Sequence, residues 1–559
     1  MSNILIRVES FVTSPVGLAA IAVGAPILWL TYRAVLYLTS SFLSPLRVID
    51  GPPSKSYFTG HFLDLVNGNG YTSLRAYNEQ YGHIFNIRAL FGEFRCIVVD
   101  NRAVAHLMSN HMTYYKPESA RFQLSYLLGQ GLISAEGMEH RYQRRIMMPA
   151  FSSSHLRNLL PTFLSKAAEL RDILNEQIIA SPTPPTVDVV HWLSRATLDI
   201  IGLAGFNYDF STLRQGEEGT ELSAAFHRFN SANKFPLLLL LKGFIPILRI
   251  FEFDASARQA QKLRKIMRQI GLQLIEEKQR EVMSEKASGG GTVLEEKGHD
   301  RDLLSLMIKS NMSTTTPQDQ KLSVPQILNQ IPTFLLAGHE TTSNATSWCL
   351  FALSQRPDVQ SRLRNELFAA FPDDNVEITV ESINALPYLE AVVRETMRFH
   401  PPVEVTARVS QGADIIPLEH EFIGKDGKPR KHIEVKKGDH FIIPIILMNR
   451  SRDVWGPDAD EFNPDRWLAD RPAAVSEIPG LWANLMTFIN GQRACIGFKF
   501  ALLEMKALLV HLIRSFEFEL AVDPKDITCK EMVVTRPFVK YEMEKGSQLP
   551  MIIRPVVQA

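Results

Sequence analysis

The chain has 559 residues, 45% hydrophobic and 21% charged, with 60 basic side chains set against 60 acidic ones. Such a composition describes a well-cored globular protein and excludes a disordered one, and with no net charge any basic function must come from local patches. The four cysteines, Cys96, Cys349, Cys495 and Cys529, are widely scattered without Cys-x-x-Cys spacing, which excludes a disulfide scaffold and suits a reducing compartment.

Residues 1–9 read as a short tail, and residues 10–38 as a membrane anchor. Ser10 to Tyr32 carries no charge over about the 20 residues a bilayer requires. The apolar run resumes after Arg33, unlike a cleaved signal peptide, so the anchor is expected to be retained. Arg33, Arg47 and Lys55 lie on its C-terminal side, whereas Arg7 is offset by Glu9 on the other. The positive-inside tendency then puts the tail in a lumen and the body in the cytosol, with Trp29, Tyr32 and Tyr37 at the interface. Residues 39–53, ending in Gly51-Pro52-Pro53, read as a stiff proline-rich linker, and residues 54–559 as one domain.

Helical periodicity runs over Leu156–Ile179, Ala255–Met283 and Leu502–Phe516, and the glycine-rich, charged stretch Ser284–Asp300 reads as a loop. Phe235–Phe251 is apolar but interrupted by Lys242, Gly243 and Pro246; it reads either as core helix ends or as a monotopic membrane contact with Lys242 and Arg249 at headgroup depth. Ser323, with Pro325 after it, opens a helix that continues to Gln355. Its centre, "AGHETT" (Ala337–Thr342), is locally costly for a helix, because threonine hydroxyls compete for carbonyls one turn back. The pattern suggests a bent polar notch able to bind a small ligand; a packing notch with Glu340 in solvent is the other reading.

Pro387–Pro402 is a proline-opened helix with Glu395 and Arg398 one turn apart. Gln411–Ile445 alternates β-branched and polar residues around Asp426-Gly427 and Gly438-Asp439, as in short hairpins. "FNPDRW" (Phe462–Trp467) supplies Arg466 in a loop. Last, "FINGQRACIG" sets Cys495 between Gly491 and Gly497, two residues after Arg493, at the mouth of a helix whose N–H groups favour a thiolate. One cysteine cannot complete a structural zinc site, so it is a buried thiol, a nucleophile or an axial ligand to a metal held by something else.

In this order and spacing, these features resemble the cytochrome P-450 family of haem-thiolate monooxygenases. "FINGQRACIG" matches the family's Phe-x-x-Gly-x-Arg-x-Cys-x-Gly at every specified position, "AGHETT" looks like its oxygen-activating element, "ETMR" like its Glu-x-x-Arg, and "FNPDRW" like the segment that completes a Glu-Arg-Arg cluster. The resemblance implies a mainly α fold with a small β subdomain, a long central helix over a haem, and an N-terminal transmembrane helix. It implies heme b with Cys495 as the axial thiolate, whose electron push favours O–O cleavage. Phe488, Gly491 and Gly497 would frame the cofactor, and Arg493, Arg408, Arg144 and His140 would meet its carboxylates, His140 standing where the family usually has tryptophan. Glu340 and Thr341 would be the catalytic acid–alcohol pair, and Glu395, Arg398 and Arg466 the structural cluster. His339 and His400 receive no role.

The same resemblance implies electrons from NADPH through NADPH-cytochrome P-450 reductase, with cytochrome b5 as a further donor, since the chain has no Gly-x-Gly-x-x-Gly fingerprint of its own. Arg141, Arg144, Arg145, Lys499 and Lys506 are expected to form the basic docking face. The expected activity is oxidation of a lipophilic small molecule in an endoplasmic-reticulum membrane, with a terpenoid of fungal specialised metabolism favoured over fatty acids, sterols or xenobiotics. A peroxide-rearranging isomerase or dehydratase that needs no reductase is the alternative enzyme, and a silent haem-binding protein the non-enzymatic one. Tyr114–Ile133, Phe334–Gly338 and Val403–Thr406 are the expected pocket segments, with Glu404 as a polar anchor.

Overall fold

A computed structural model of the chain describes residues 43–54, 56–61, 70–89, 92–216, 255–287, 302–312, 321–373, 375–531 and 534–556, with a few isolated positions besides. The expected anchor lies almost wholly outside the described residues, and among them no helix is long and apolar enough to cross a membrane. By its packing the chain divides into two compact units, Met1–Ala103 with Val409–Ile442 and Val104–Arg408 with Ile443–Ala559.

The first unit contains helix α1 (Gly70–Tyr81) and strands β1 (Ile84–Arg88), β2 (Phe94–Val98), β3 (Asp414–Ile423), β4 (Pro429–Val435) and β5 (His440–Pro444). β1 and β2 pair antiparallel, β2 runs parallel to β5 with Cys96 opposite Phe441, and β3 with β4 forms the expected hairpin. Its turn is built as the sequence suggests: Gly427 takes φ +75°, and Arg430 closes on Asp426 with two bonds of 2.7 and 2.8 Å.

The linker differs from expectation. Pro45–Val48 is a 3₁₀ turn capped by Ser44, whose hydroxyl also donates to Asp439 at 2.6 Å. Leu46 and Ile49 are buried, the Asn86 amide donates to both of their carbonyls, and a Cβ on Gly51 would fall 1.9 Å from the Asn86 carbonyl oxygen. A proline-rich segment whose apolar side chains and carbonyls are satisfied in this way packs as part of the fold.

The second unit holds helices α2 (Glu118–Leu128), α3 (Gly137–Met147), α4 (Ser153–Ala180), α5 (Val189–Phe206), α6 (Ala255–Ala287), α7 (Val324–Ser354), α8 (Pro387–Phe399) and α9 (Phe498–Ser515). Strand β6 (Phe516–Leu520) pairs with β9 (Pro550–Pro555), which also takes up Thr186–Asp188, while β7 (Ile527–Glu531) and β8 (Thr535–Val539) form a separate antiparallel pair. α6 runs four residues into the stretch read as a loop; the rest of that stretch, and nearly all of Phe235–Phe251, lies outside the described residues. Of the two cations expected at headgroup depth there, Lys242 is buried and Arg249 ion-pairs with Glu118 at 2.9 Å.

α7 is the axis of this unit, packed on α5 and α9 with apolar side chains from Ile327 to Leu353 in the common core. Its start is fixed by a complete capping box, in which Ser323 and Gln326 exchange side-chain bonds with each other's backbone N–H. Its polar centre stays helical rather than opening. The Thr341 hydroxyl donates to the Ala337 carbonyl at 2.7 Å, His339 Nδ1 bonds the Leu335 carbonyl at 2.8 Å, and the Asn344 amide donates to the Glu340 carbonyl at 2.8 Å. These three side chains are thus each satisfied by a carbonyl of the preceding turn. Gly338 serves helix packing, since a Cβ there would come within 2.8 Å of Ile201 on α5.

Candidate active site

α7, the loop before α9, the N-terminal half of α3 and the strand Val405–Ser410 converge on a cavity of about 540 Å³. Its walls are largely apolar, with Leu124, Leu132, Ile133, Phe334, Ala337, Val403 and Val405, while Cys495 and Thr341 both reach the interior. The three pocket segments expected from sequence all contribute. Glu404, expected as a polar anchor, is buried without being part of the cavity wall, because its strand turns Val403 and Val405 inward instead.

The cysteine loop is held by its backbone. Cys495 N–H donates to the Phe488 carbonyl at 2.9 Å, and Phe488 packs between Trp482 and Phe498 with centroids 5.9 and 6.0 Å away. Ile489, a β-branched residue on the cavity wall, takes φ +58°, and its N–H and carbonyl are tied to Met486 and Leu481. Backbone held in that region is strained and persists only when its surroundings over-determine it. Gly491, at φ +69°, is required by the turn and by the Met108 carbonyl oxygen, which would lie 2.7 Å from a Cβ. Gly497 is not: its φ is −94°, and a Cβ would meet Phe151 at an ordinary 3.5 Å.

Cys495 precedes the first turn of α9 by three residues, so what reaches it from the helix mouth is the single N–H of Gly497. Cys495 is exposed where it opens onto the cavity, yet desolvation by the protein around it raises the thiol above its ordinary value, with the Gly497 N–H and the Arg144 guanidinium pulling the other way. The helix mouth alone therefore does not make the thiolate, and a cation bound at the sulfur is what would complete its deprotonation.

One end of the cavity is cationic. Arg493 is buried, donates to the Ala135 carbonyl at 2.7 Å and ion-pairs with Glu136; Arg144 donates to the Ala494 carbonyl at 2.6 Å. Arg408, 2% exposed and behind the cavity wall formed by Thr406 and Ala407, bonds among the described residues to neutral partners, the Thr406 hydroxyl, the Ala407 carbonyl and the Met108 sulfur, and burial lowers it to about 10. His140 is buried with Nδ1 unpartnered among the described residues, and burial with Lys116, Arg144 and His111 nearby holds its imidazole down to about 3. Lys116 completes the group, its ammonium depressed by burial and by Arg493, Arg408 and Arg121. Buried and half-buried cations that outnumber the one acid among them, Glu136, with an orphaned imidazole nitrogen and a thiol on an apolar wall, fit a flat, dianionic metal cofactor that would take one ligand from the protein.

Glu340 and Thr341 are adjacent in sequence but divided in space. Thr341 faces the cavity, whereas Glu340 lies behind the wall, 6% exposed, with its carboxylate taken by Arg536 of β8, whose Nε is 2.6 Å away. Glu395, Arg398 and Arg466 do come together: Glu395 accepts both nitrogens of Arg398 at 2.8 Å and Arg466 Nε at 3.0 Å. His339 and His400 are packed, the latter stacked on Trp348 at 4.8 Å. Of the expected docking cations, Arg141, Arg145 and Lys499 are exposed; Arg144 turns to the cavity, and Lys506 is buried against Glu390 at 2.6 Å.

Sequence reasoning missed Lys116, Glu136, Ile489 and Arg536. Lys116 lies inside the expected pocket segment Tyr114–Ile133 and Glu136 just past its end, so both could have been found as charges at an apolar run; the other two carry no local signal, since a backbone angle and a partner 196 residues away are set by tertiary structure.

A family model described as Cytochrome P450 matches residues 51–543. The chain is 44% identical to cytochrome P450 monooxygenase 205 of Postia placenta over 96% of its own length and 97% of the relative's, and 43% identical to cytochrome P450 monooxygenase 128 of the same fungus over 96% and 98%. It is 32% identical to the ganoderic acid synthetase CYP5150L8 of Ganoderma lucidum over 96% and 98%. With that site and those matches, the chain belongs to the cytochrome P450 family: it is a monooxygenase that carries haem on a cysteine thiolate and draws NADPH electrons through a reductase.

Proposed function

We propose that this monooxygenase oxidises a lipophilic small molecule, with a terpenoid of fungal specialised metabolism as the favoured class, at an endoplasmic-reticulum membrane. The observation that carries the reading is the cavity itself. Thr341 and Cys495 share an interior otherwise walled by Leu124, Leu132, Ile133, Phe334, Val403 and Val405, so a hydrocarbon body is held by apolar contact. The match to a protein named ganoderic acid synthetase, at 32% identity, supports specialised metabolism over detoxification.

Haem, when bound, supplies the oxygen chemistry; the residues position and protonate. Cys495 would give the sulfur ligand, and Arg493, Arg144, Arg408 and His140 would hold the cofactor's carboxylates. The Thr341 hydroxyl, whose proton is committed to the Ala337 carbonyl, presents an acceptor oxygen to water in the cavity. Glu340 holds its carboxylate in reserve on Arg536, so proton delivery requires that pair to loosen. Arg141, Arg145 and Lys499 are the cations left to meet an acidic reductase. The uncharged run Ser10–Tyr32 within residues 10–38 supports a single-pass anchor with the catalytic body cytosolic.

The test is co-expression with a reductase and mass spectrometry on terpenoid, sterol and fatty-acid panels. A terpenoid product heavier by one oxygen atom and dependent on NADPH is expected. Turnover confined to fatty acids, or turnover of a hydroperoxide without NADPH, would refute the proposal.

A further inference from the structure

Around the cationic end of the cavity, Lys116 is acted on by Arg121, Arg408 and Arg493, and Arg493 by Arg121, and the carboxylate that the described residues place among them is Glu136. Glu136 stands at the N-cap position of α3 yet makes no capping bond. Its side chain turns into the cluster instead: Oε2 ion-pairs Arg493, while Oε1 accepts the Lys116 backbone N–H at 3.1 Å and lies 3.7 Å from Lys116 Nζ. Gly137 follows at φ +56°, where a Cβ would come 2.8 Å from the Tyr115 hydroxyl, so the chain bends just where the carboxylate must be aimed. Arg121 Nε is buried without a hydrogen-bond partner among the described residues. The cluster therefore lacks negative charge even with Glu136 inside it, and burial sharpens that deficit.

We propose that Glu136 is a built-in counter-ion that a haem carboxylate displaces from Lys116 and Arg493 as the cofactor enters, and that Lys116 thereby becomes a further ligand of the cofactor's carboxylates. The proposal rests on the haem-thiolate assignment of the site. Without cofactor, one internal carboxylate keeps buried Arg493 and half-buried Lys116 from repelling each other outright. With cofactor, the same carboxylate competes for those cations and limits how tightly haem is held. Glu136 is thus a positioning residue for loading and takes no part in turnover.

The experiment is haem transfer from purified holoenzyme to excess apomyoglobin, followed by absorbance as a first-order rate and requiring no catalytic activity. Glu136→Gln removes the competing charge at constant shape and is expected to slow haem loss roughly tenfold, the equivalent of one charged hydrogen bond. Lys116→Met is expected to speed it by a similar factor, and in that background the Glu136→Gln effect should shrink, because the two act through one contact. Haem loss from Glu136→Gln at the wild-type rate or faster, with unchanged circular dichroism and melting temperature, overturns the proposal; so does an unchanged rate for Lys116→Met. If Glu136→Gln fails to fold, Glu136→Asp, which keeps the charge but shortens its reach, must also slow haem loss, and an unchanged or faster rate overturns the idea equally. A wild-type protein whose reduced carbon monoxide spectrum lacks the thiolate signature would sink the haem-thiolate assignment itself, a different failure from an unmoved transfer rate.

Discussion

Replacing Glu395 by alanine tests how the cysteine loop is braced. The carboxylate, 0% exposed, accepts five N–H groups: Arg398 Nε and its terminal nitrogen at 2.8 Å, the Asn463 backbone at 2.8 Å, Trp467 Nε1 at 2.9 Å and Arg466 Nε at 3.0 Å. Arg398, also 0% exposed, keeps carbonyl bonds to Ala459 at 2.6 Å and Glu461 at 2.9 Å, so it cannot leave for water when its partner is removed. Breaking a buried pair from one side costs about 3–5 kcal/mol, because a charge is stranded. For a unit of this size the unfolding entropy is on the order of 0.9 kcal/mol per degree, so the melting temperature should fall by roughly 3–6 °C. Because Arg398 and Arg466 hold the segment leading to Phe488, haem content should fall as well. The assay is a thermal melt with the haem-to-protein ratio of the same preparation. Glu381→Gln, which removes the exposed Arg157–Glu381 pair with side chains 57% and 60% accessible, is the control and should leave both unchanged. A Glu395→Ala protein that melts like wild type with full haem would refute the reasoning.

Gly491→Ala must adopt φ +69° with a Cβ pressed on the Met108 carbonyl; the left-handed strain alone costs roughly 1–2 kcal/mol, and a haem-to-protein ratio equal to wild type would contradict it. Thr341→Val should leave haem content intact while lowering product formation on the order of tenfold or more, with a larger share of NADPH electrons recovered as peroxide; unchanged coupling would remove Thr341 from proton delivery. Below neutrality the protein should lose stability through histidines kept neutral by the fold. Burial lowers His440 to about 4 and takes His400 down as well, so the unfolded chain binds those protons first. Their contribution is complete above about pH 6.5 and is lost as pH falls toward about 4, up to roughly 3 kcal/mol for His440; a melting temperature flat between pH 7 and 5 would contradict this.

The elements that could be read from sequence are those whose signals are local. The Ser323 N-cap and the Asp426-Gly427 turn each lie within a few residues, and the structure places both as read, whereas in "FINGQRACIG" Gly497 and the helix mouth do less than their spacing suggests. Glu395 and Arg398 were legible as a helical pair, though nothing local shows that Trp467 and Asn463 also bind that carboxylate. The misreadings share a cause. The linker prolines look like a spacer until Asn86 is seen to satisfy the carbonyls around them, and Lys506 looks like a surface cation until Glu390 and Asn384 are seen beside it. Glu340 next to Thr341 reads as a working pair, but successive helical residues point about 100° apart, and Arg536 claims the one that faces away from the cavity.

The central claim is that Cys495 supplies the thiolate to haem at this cavity. The most direct measurement is the carbon monoxide difference spectrum of the reduced holoenzyme beside that of Cys495→Ser, purified in parallel. The account predicts the thiolate-shifted Soret band in the wild type and its loss in the variant; a Cys495→Ser protein that keeps the shifted band, or a haem-loaded wild type without it, would contradict the assignment.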